Sequence, residues 1–299
     1  NFMNKSFIFI ALVLLISPWA ETKESTNYFD PMDVFDLEWA SDPQVSSDGE
    51  TIVYVRKSND IMNDRVRSNL WRISNDGRNH RPLHSGFKNS YSPRWSPDNE
   101  RIAFISNNSG SNQIHILWVD TGETAVISQL QESPSSLSWS PDGKWLAFTM
   151  EVKAESKSLI EERDKPDGAS WAKKPITVTT TRYQYDGRGI VEPSYRHLFL
   201  VPAEGGSARQ LTNGDYNHYG SLSWSNDSEE LFFSAYRSGD WELVSNEADI
   251  YSVSVSTNEL KQITKQSGEE RSPVMSPNGE MIAFYLKERR PLAYTPSRI

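Results

Sequence analysis

One hairpin pattern returns five times along the chain, and it limits the fold more than any other feature of the sequence. Its clearest copy reads Ser136-Leu137-Ser138-Trp139-Ser140-Pro141-Asp142-Gly143-Lys144-Trp145-Leu146-Ala147-Phe148. Leu137 and Trp139 alternate with serines, the period of a strand with one buried face. Pro141 presets the backbone of a turn, and Gly143 accepts the left-handed conformation at its end. Trp145 to Phe148 is a second apolar run. The counterparts are Val45-Ser46-Ser47-Asp48-Gly49, Trp95-Ser96-Pro97-Asp98-Asn99, Trp224-Ser225-Asn226-Asp227-Ser228 and Met275-Ser276-Pro277-Asn278-Gly279. Six residues after each anchor serine stands an aliphatic residue (Ile52, Ile102, Leu146, Leu231, Ile282), and two further on an aromatic one (Tyr54, Phe104, Phe148, Phe233, Phe284).

Two more strands complete the unit. A third is predicted around Leu70, Ile114, Leu198 and Ile250, and a fourth around Leu83, Ile127, Leu211 and Ile263, each followed by His, Ser or Thr. The third-to-fourth spacing is 13 residues in every copy, and the fourth strand precedes the next anchor serine by 13 or 14. From anchor serine to third strand the counts are 24, 18, 58 and 25, so all the slack lies in one loop. A sandwich does not require such a fixed module. A repeat of about 40–50 residues with four strands is that of a β-propeller. The fold is therefore predicted as all-β, a propeller of four-stranded antiparallel blades with four complete repeats and a truncated fifth.

In chain order, residues 1–20 read as a signal peptide: Lys5, the apolar run Phe7 to Ile16, then Ser17-Pro18-Trp19-Ala20. This implies export, to the periplasm, and contact with membrane only through that segment. Residues 21–41 read as a polar linker and a short helix capped by Asp30 with Pro31 in its first turn. The helix is expected to stop before Asp42-Pro43. Blades are expected from about Asp42, Pro93, Leu137 and Leu222, with a fifth near Pro273, so that residues 42–286 form the propeller. Residues 151–196 insert into the third blade: a charged stretch to Lys165, a strand at Ile176 to Thr181, and an Asp186-Gly187 turn, together a hairpin arm. Residues 287–299 read as a truncated or irregular tail. An open fifth blade leaves a sheet edge unprotected, so the chain reads as the N-terminal part of a longer protein.

Several chemistries are absent. The 299 residues carry a net charge of −9, against a nucleic-acid partner. There is no cysteine, hence no thiol catalysis. No two glycines stand four apart, so Gly-x-Ser-x-Gly does not occur. The five histidines lack metal-ligand spacing, and His84 and His197 read as structural. Gly187-Arg188-Gly189 lacks the remainder of a dinucleotide fingerprint. Paired carboxylates for sugar hydrolysis are missing from the innermost strands, where Asp42 is the one nearby acid. Trp95, Trp139 and Trp224 share a repeat position and read as blade packing rather than a carbohydrate platform. Asp240-Trp241-Glu242 with Glu247 reads as a solvated loop, with capture of a peptide amino end as the functional alternative. No catalytic, cofactor-binding or metal-binding residue is assigned, and no cofactor is expected.

The repeats are of TolB type. The segments Asp33-Val34-Phe35-Asp36-Leu37 through Gly49, Arg182-Tyr183-Gln184-Tyr185-Asp186-Gly187 with Arg196-His197-Leu198-Phe199, and Asp240-Trp241-Glu242-Leu243 before Asp249-Ile250-Tyr251 resemble the prolyl oligopeptidase family of serine peptidases. The likeness is to its acylaminoacyl-peptidase and dipeptidyl-peptidase-like branch. The resemblance implies a propeller covering a C-terminal α/β-hydrolase domain that holds the Ser, Asp and His, with the propeller restricting entry to short peptides. That domain is not in these residues, so the chain is expected to be inactive alone. The competing reading is a non-enzymatic, periplasmic TolB-like scaffold for protein interactions.

Overall fold

The computed structural model describes residues 28–154, 163–172, 176–244, 246–289 and 295–299. The expected signal peptide, and the linker up to residue 27, lie outside them. Four antiparallel four-stranded sheets follow one another. Blade 1 comprises Glu38–Val45, Thr51–Asp60, Arg65–Ser74 and Arg81–His84. Blade 2 comprises Ser90–Trp95, Arg101–Ser106, Gln113–Trp118 and Thr124–Val126. Blade 3 comprises Ser135–Trp139, Trp145–Lys153, Ser194–Pro202 and Arg209–Gln210. Blade 4 comprises His218–Trp224, Glu230–Ala235, Asp249–Ser254 and Leu260–Gln262. The fifth sheet has two strands, Gly268–Met275 and Ile282–Glu288. Leu286 also exchanges backbone hydrogen bonds with Arg298 at 2.7 and 2.8 Å, a fragment of pairing where a third strand lies in the other blades.

The anchor serine recurs because it closes the turn. Ser140 Oγ donates to Asp142 Oδ1 at 2.6 Å and accepts the Trp145 N–H at 2.9 Å. Asp142 Oδ1 also accepts the Lys144 N–H at 3.1 Å. The same bonds form around Ser46, Ser96, Ser225 and Ser276. The Ser46 hydroxyl and the Glu50 N–H hold the Asp48 carboxyl below its usual range. The fourth turn position has positive φ in every copy, at Gly49, Asn99, Gly143, Ser228 and Gly279, hence the preference for glycine or asparagine.

The aliphatic and aromatic positions also have a geometric cause. Successive strand residues point to opposite faces. Residues seven and nine after an anchor serine face the next blade, and residues six and eight face the previous one. Val53, Val55 and Leu70 meet Ile102 and Phe104. Ala103 and Ile105 meet Leu146 and Phe148. Ala147, Leu198 and Leu200 meet Leu231 and Phe233. On the outward face of blade 1 the aromatic position is Tyr54, whose hydroxyl bonds His80 Nε2 at 2.6 Å, and Arg56 lies 4.3 Å over the Trp71 ring.

The tryptophans pin neighbouring blades together. Trp95 Nε1 donates to the Gln44 carbonyl at 3.1 Å, and Trp139 Nε1 to the Arg94 carbonyl at 3.0 Å. Trp224 Nε1, at the same repeat position, is buried with no acceptor among the described residues. The residue closing each outer strand has a repeated duty too. Ser128, Thr212 and Thr264 accept the N–H of Ile114, Leu198 and Ile250 at 2.9, 3.0 and 2.8 Å.

The expected short helix forms as a 3-10 helix, Pro31–Asp36, with Asp30 and Asp33 in a capping box, and the chain turns extended at Leu37. Three expectations need correction. The innermost strands begin three to five residues before Asp42, Pro93, Leu222 and Pro273, and two before Leu137, because each contains a bulge four residues ahead of its anchor serine. Asp42, Ser92, Ser136 and Ser272 there have positive φ, and Pro43, Pro93 and Pro273 follow where the ladder needs no N–H. Ile176 to Thr181 is not a strand, since no strand among the described residues pairs with it. The ends of the insertion, Glu151–Lys153 and Ser194–Arg196, pair with each other as an extension of blade 3. Among the described residues between them a two-residue ribbon forms, Gln184–Tyr185 with Gly189–Ile190. Residues 155–162, in the charged part of the insertion, and residues 290–294 of the tail lie outside the described residues.

Candidate functional site

The loops between second and third strands and the crossovers between blades emerge on one face. They are tied there by asparagines: Asn89 accepts the Ser68 N–H at 3.1 Å, and Asn217 accepts the Arg196 N–H at 2.9 Å. The blade 3 insertion rises from this face and leans on blade 4. The Thr181 N–H donates to Glu242 Oε2 at 3.0 Å, and Tyr195 meets Trp241 edge-on at 5.8 Å. Trp171, Val178, Tyr183, Tyr185 and Ile190 remain exposed on it.

The acids singled out in blade 4 are all engaged within the chain. Asp240 accepts from the Tyr236 hydroxyl at 3.1 Å, and hydrogen bonds from Ser238 and Tyr236 keep its carboxyl below the usual range. Glu242 holds the insertion. Glu247 accepts the Gly268 N–H at 3.0 Å and pairs with Arg289 at 3.1 Å, binding blade 4 to blade 5. These contacts serve the seating of loops, and leave Asp240 the exposed member of the three.

Beneath this face lies a pair of histidines. Arg237 Nη1, which can only donate, stands 2.5 Å from His218 Nε2, so Nδ1 carries the proton and donates to the Arg196 carbonyl at 2.8 Å. His197 lies 5.1 Å from His218 between ring centres and bonds the Thr212 hydroxyl at 3.3 Å. Burial, with the Arg237 charge beside it, pushes His197 down to about 4. Burial pushes His218 down to about 3, against the Arg196 carbonyl and with help from His197 and Arg237. Burial also lowers His84 and His115. The placement of His84, at 3.0 Å from the Ser90 hydroxyl, and of His197 is that of structural groups.

The unfolded chain protonates these side chains near 6.5, whereas the folded chain resists until far lower pH. Stability is therefore full above about pH 7 and falls as the pH drops below 6.5. Melting temperature is expected to be flat from pH 8 to 7 and to fall between pH 6.5 and 4.5. Asp249 and Glu270, raised by burial, oppose the fall in the lower part of that window. His218→Gln is expected to make the fall shallower. An equal slope in the variant overturns this assignment.

At the centre, the innermost strands of blades 1 to 4 line an open cavity of about 560 Å³. It is lined by Gln44, Arg94, Ser136, Ser138 and Ser221, with Trp95 and Trp139 in its wall. Behind Arg94 stands Asp42, whose Oδ1 and Oδ2 accept from Nη1 at 3.0 and 2.9 Å. The sequence signal for this arrangement was the Asp-Pro and Ser-Pro pairs of the bulges, which pattern reading assigned to strand starts. Among the described residues no group of three or more His, Asp or Glu is placed to hold a metal ion.

Comparison with known proteins agrees with this architecture. Residues 50–292 match the family model of the TolB β-propeller domain. The uncharacterized peptidase YuxL of Bacillus subtilis is 33% identical over 196 residues, covering 65% of this chain and 29% of that protein. Dipeptidyl-peptidase 5 of Porphyromonas gingivalis is 25% identical over 306 residues, covering 96% of this chain and 43% of that protein. The chain thus spans less than half the length of these relatives. The acylaminoacyl peptidase of Pyrococcus horikoshii superposes with a TM-score of 0.61 at 16% identity, over 86% of this chain and 37% of that one. A puromycin-hydrolyzing peptidase of Mycobacterium tuberculosis gives 0.55 at 14%, over 84% and 35%. The family model covers most of the chain, and the protein belongs to the TolB β-propeller domain family, in a form similar to the propeller portions of peptidases.

Proposed function

We propose that this propeller gates substrate for a serine peptidase acting on short peptides, exported to the periplasm, whose α/β-hydrolase domain sits on the crossover face. The observation that carries the reading is the concentration of elaboration on that face. The insertion leaves Trp171, Val178, Tyr183, Tyr185 and Ile190 exposed although it is already fastened to blade 4, and exposed apolar groups gathered in one place mark a contact surface. The relatives named as peptidases support it, each more than twice the aligned length. Export rests on the apolar run of Phe7 to Ile16 behind Lys5.

The reading frame beyond Ile299 is expected to encode further repeats, then Gly-x-Ser-x-Gly, then Asp and His in that order. A stop codon with no such domain downstream overturns the peptidase reading and favours a scaffold. In the two-domain protein, replacing residues 154–193 by a short Gly-Ser linker is expected to leave melting near the parent's while changing kcat/KM across a peptide-length series. Unchanged kinetics at every length would remove the insertion from the substrate route.

A further inference from the structure

We propose that the central cavity is a carboxylate-binding site that takes the free C-terminal end of a short peptide, with Arg94 as its anchor. This deepens the peptidase reading and rests on it for the identity of the ligand, though not for the chemistry of the site. Among the described residues Arg94 is the one charged residue that lines the cavity; its charge is balanced by Asp42 through Nη1 alone, and the other nitrogens of the guanidinium keep their donor capacity.

The guanidinium is held from behind. Both Asp42 oxygens and the Pro93 carbonyl, at 2.6 Å, take Nη1. Asp42 is itself fixed by Gln44 Nε2 at 2.8 Å. Nε and Nη2 have no partner among the described residues, and they are the edge of the fork suited to bidentate carboxylate binding. Ser136, Ser138 and Ser221 line the same space, and their hydroxyls have no hydrogen-bond partner among the described residues. They can donate to the second lone pairs of a bound carboxylate or to a peptide carbonyl.

The cavity's size, about 560 Å³, falls within the about 300–1,000 Å³ range of small-ligand sites, enough for a few residues. A Cβ on Gly220 would lie 2.2 Å from Ser136 Oγ, so the backbone passes bare at that point. A site with one preorganised cation, three free hydroxyls and indole walls selects for a carboxylate on a small, partly apolar body.

The test titrates the chain with N-acetyl-trialanine and with its C-terminal amide at fixed ionic strength, following fluorescence of the wall residues Trp95 and Trp139 and, independently, heat. The acid is expected to bind about tenfold more tightly than the amide. Arg94→Gln is expected to bring the acid down to the affinity of the amide. Because that variant also leaves Asp42 unpaired, Ser138→Asp is measured beside it. It keeps the Arg94–Asp42 pair and is expected to abolish acid binding while sparing the amide. Equal affinity for acid and amide in the parent chain overturns the proposal, as does an undiminished acid preference in whichever variant folds. The readout needs no hydrolysis. A negative result therefore leaves the peptidase reading intact, and a missing hydrolase domain would leave the site intact.

Discussion

Phe148→Ala is expected to destabilise the protein by about 3–5 kcal/mol, the cost of removing a large aromatic side chain from a site that cannot collapse. Phe148 is fully buried. It stacks on Phe199 at 5.5 Å, and its cluster includes Ile105 and Ile116 of the previous blade. The strands on both sides are fixed by turn and ladder bonds, so the cavity stays open. Tyr285→Ala is the control. Its ring is 51% exposed on blade 5, and a change within about 0.5 kcal/mol is expected there. Urea unfolding followed by tryptophan fluorescence measures both. A loss below about 1 kcal/mol for Phe148→Ala would mean that the seam between blades 2 and 3 is not closely packed.

Gly268→Ala is expected to cost about 2–3 kcal/mol and to act on the fifth sheet and its contact with blade 4. Gly268 opens the inner strand of blade 5 with φ +131°, a conformation that favours glycine. A Cβ there would stand 2.5 Å from the Lys287 carbonyl and 3.0 Å from Glu288 Cα, both backbone atoms of the paired strand. Relief requires that strand to move away. The Gly268 carbonyl also accepts the Ala248 N–H at 3.1 Å, and the Glu270 N–H donates back to Ala248 at 2.8 Å. Hydrogen exchange is therefore expected to quicken at Ala248 and Glu270 while Phe104 and Phe148 stay protected. Unchanged exchange at Ala248 and Glu270 would show that the strand pair absorbs the methyl group.

The repeat was readable because each of its residues answers a local demand. The serine closes a turn, the fourth turn position needs positive φ, and the aliphatic and aromatic residues face different neighbours. Such demands act within a few residues and leave a periodic trace. The inner-strand bulges left only Asp42-Pro43, Ser92-Pro93 and Ser272-Pro273, which also suit a strand start, so the strand beginnings came out late. Ile176 to Thr181 has the composition of a strand and lacks a partner, and pairing is a tertiary fact that composition does not carry. The Arg94–Asp42 pair joins residues 52 apart, a separation that no local pattern reveals. The blade 4 acids were visible as a cluster, but their engagement with Thr181, Tyr236, Gly268 and Arg289 depends on neighbouring blades.

The seam rule makes the molecule a one-dimensional array. Each sheet passes its influence to the next through one apolar layer, so mutations two sheets apart should combine additively while those across a seam should couple. Blade 1 differs from the other sheets on its outward face. Where four other copies place phenylalanine, it carries Tyr54, with its hydroxyl on His80 and with Arg56 covering Trp71. Each of these groups keeps a polar edge that an interior phenylalanine lacks. That surface can stand against water or against another sheet, whereas the phenylalanine faces of blades 2, 3 and 4 are suited only to a sheet.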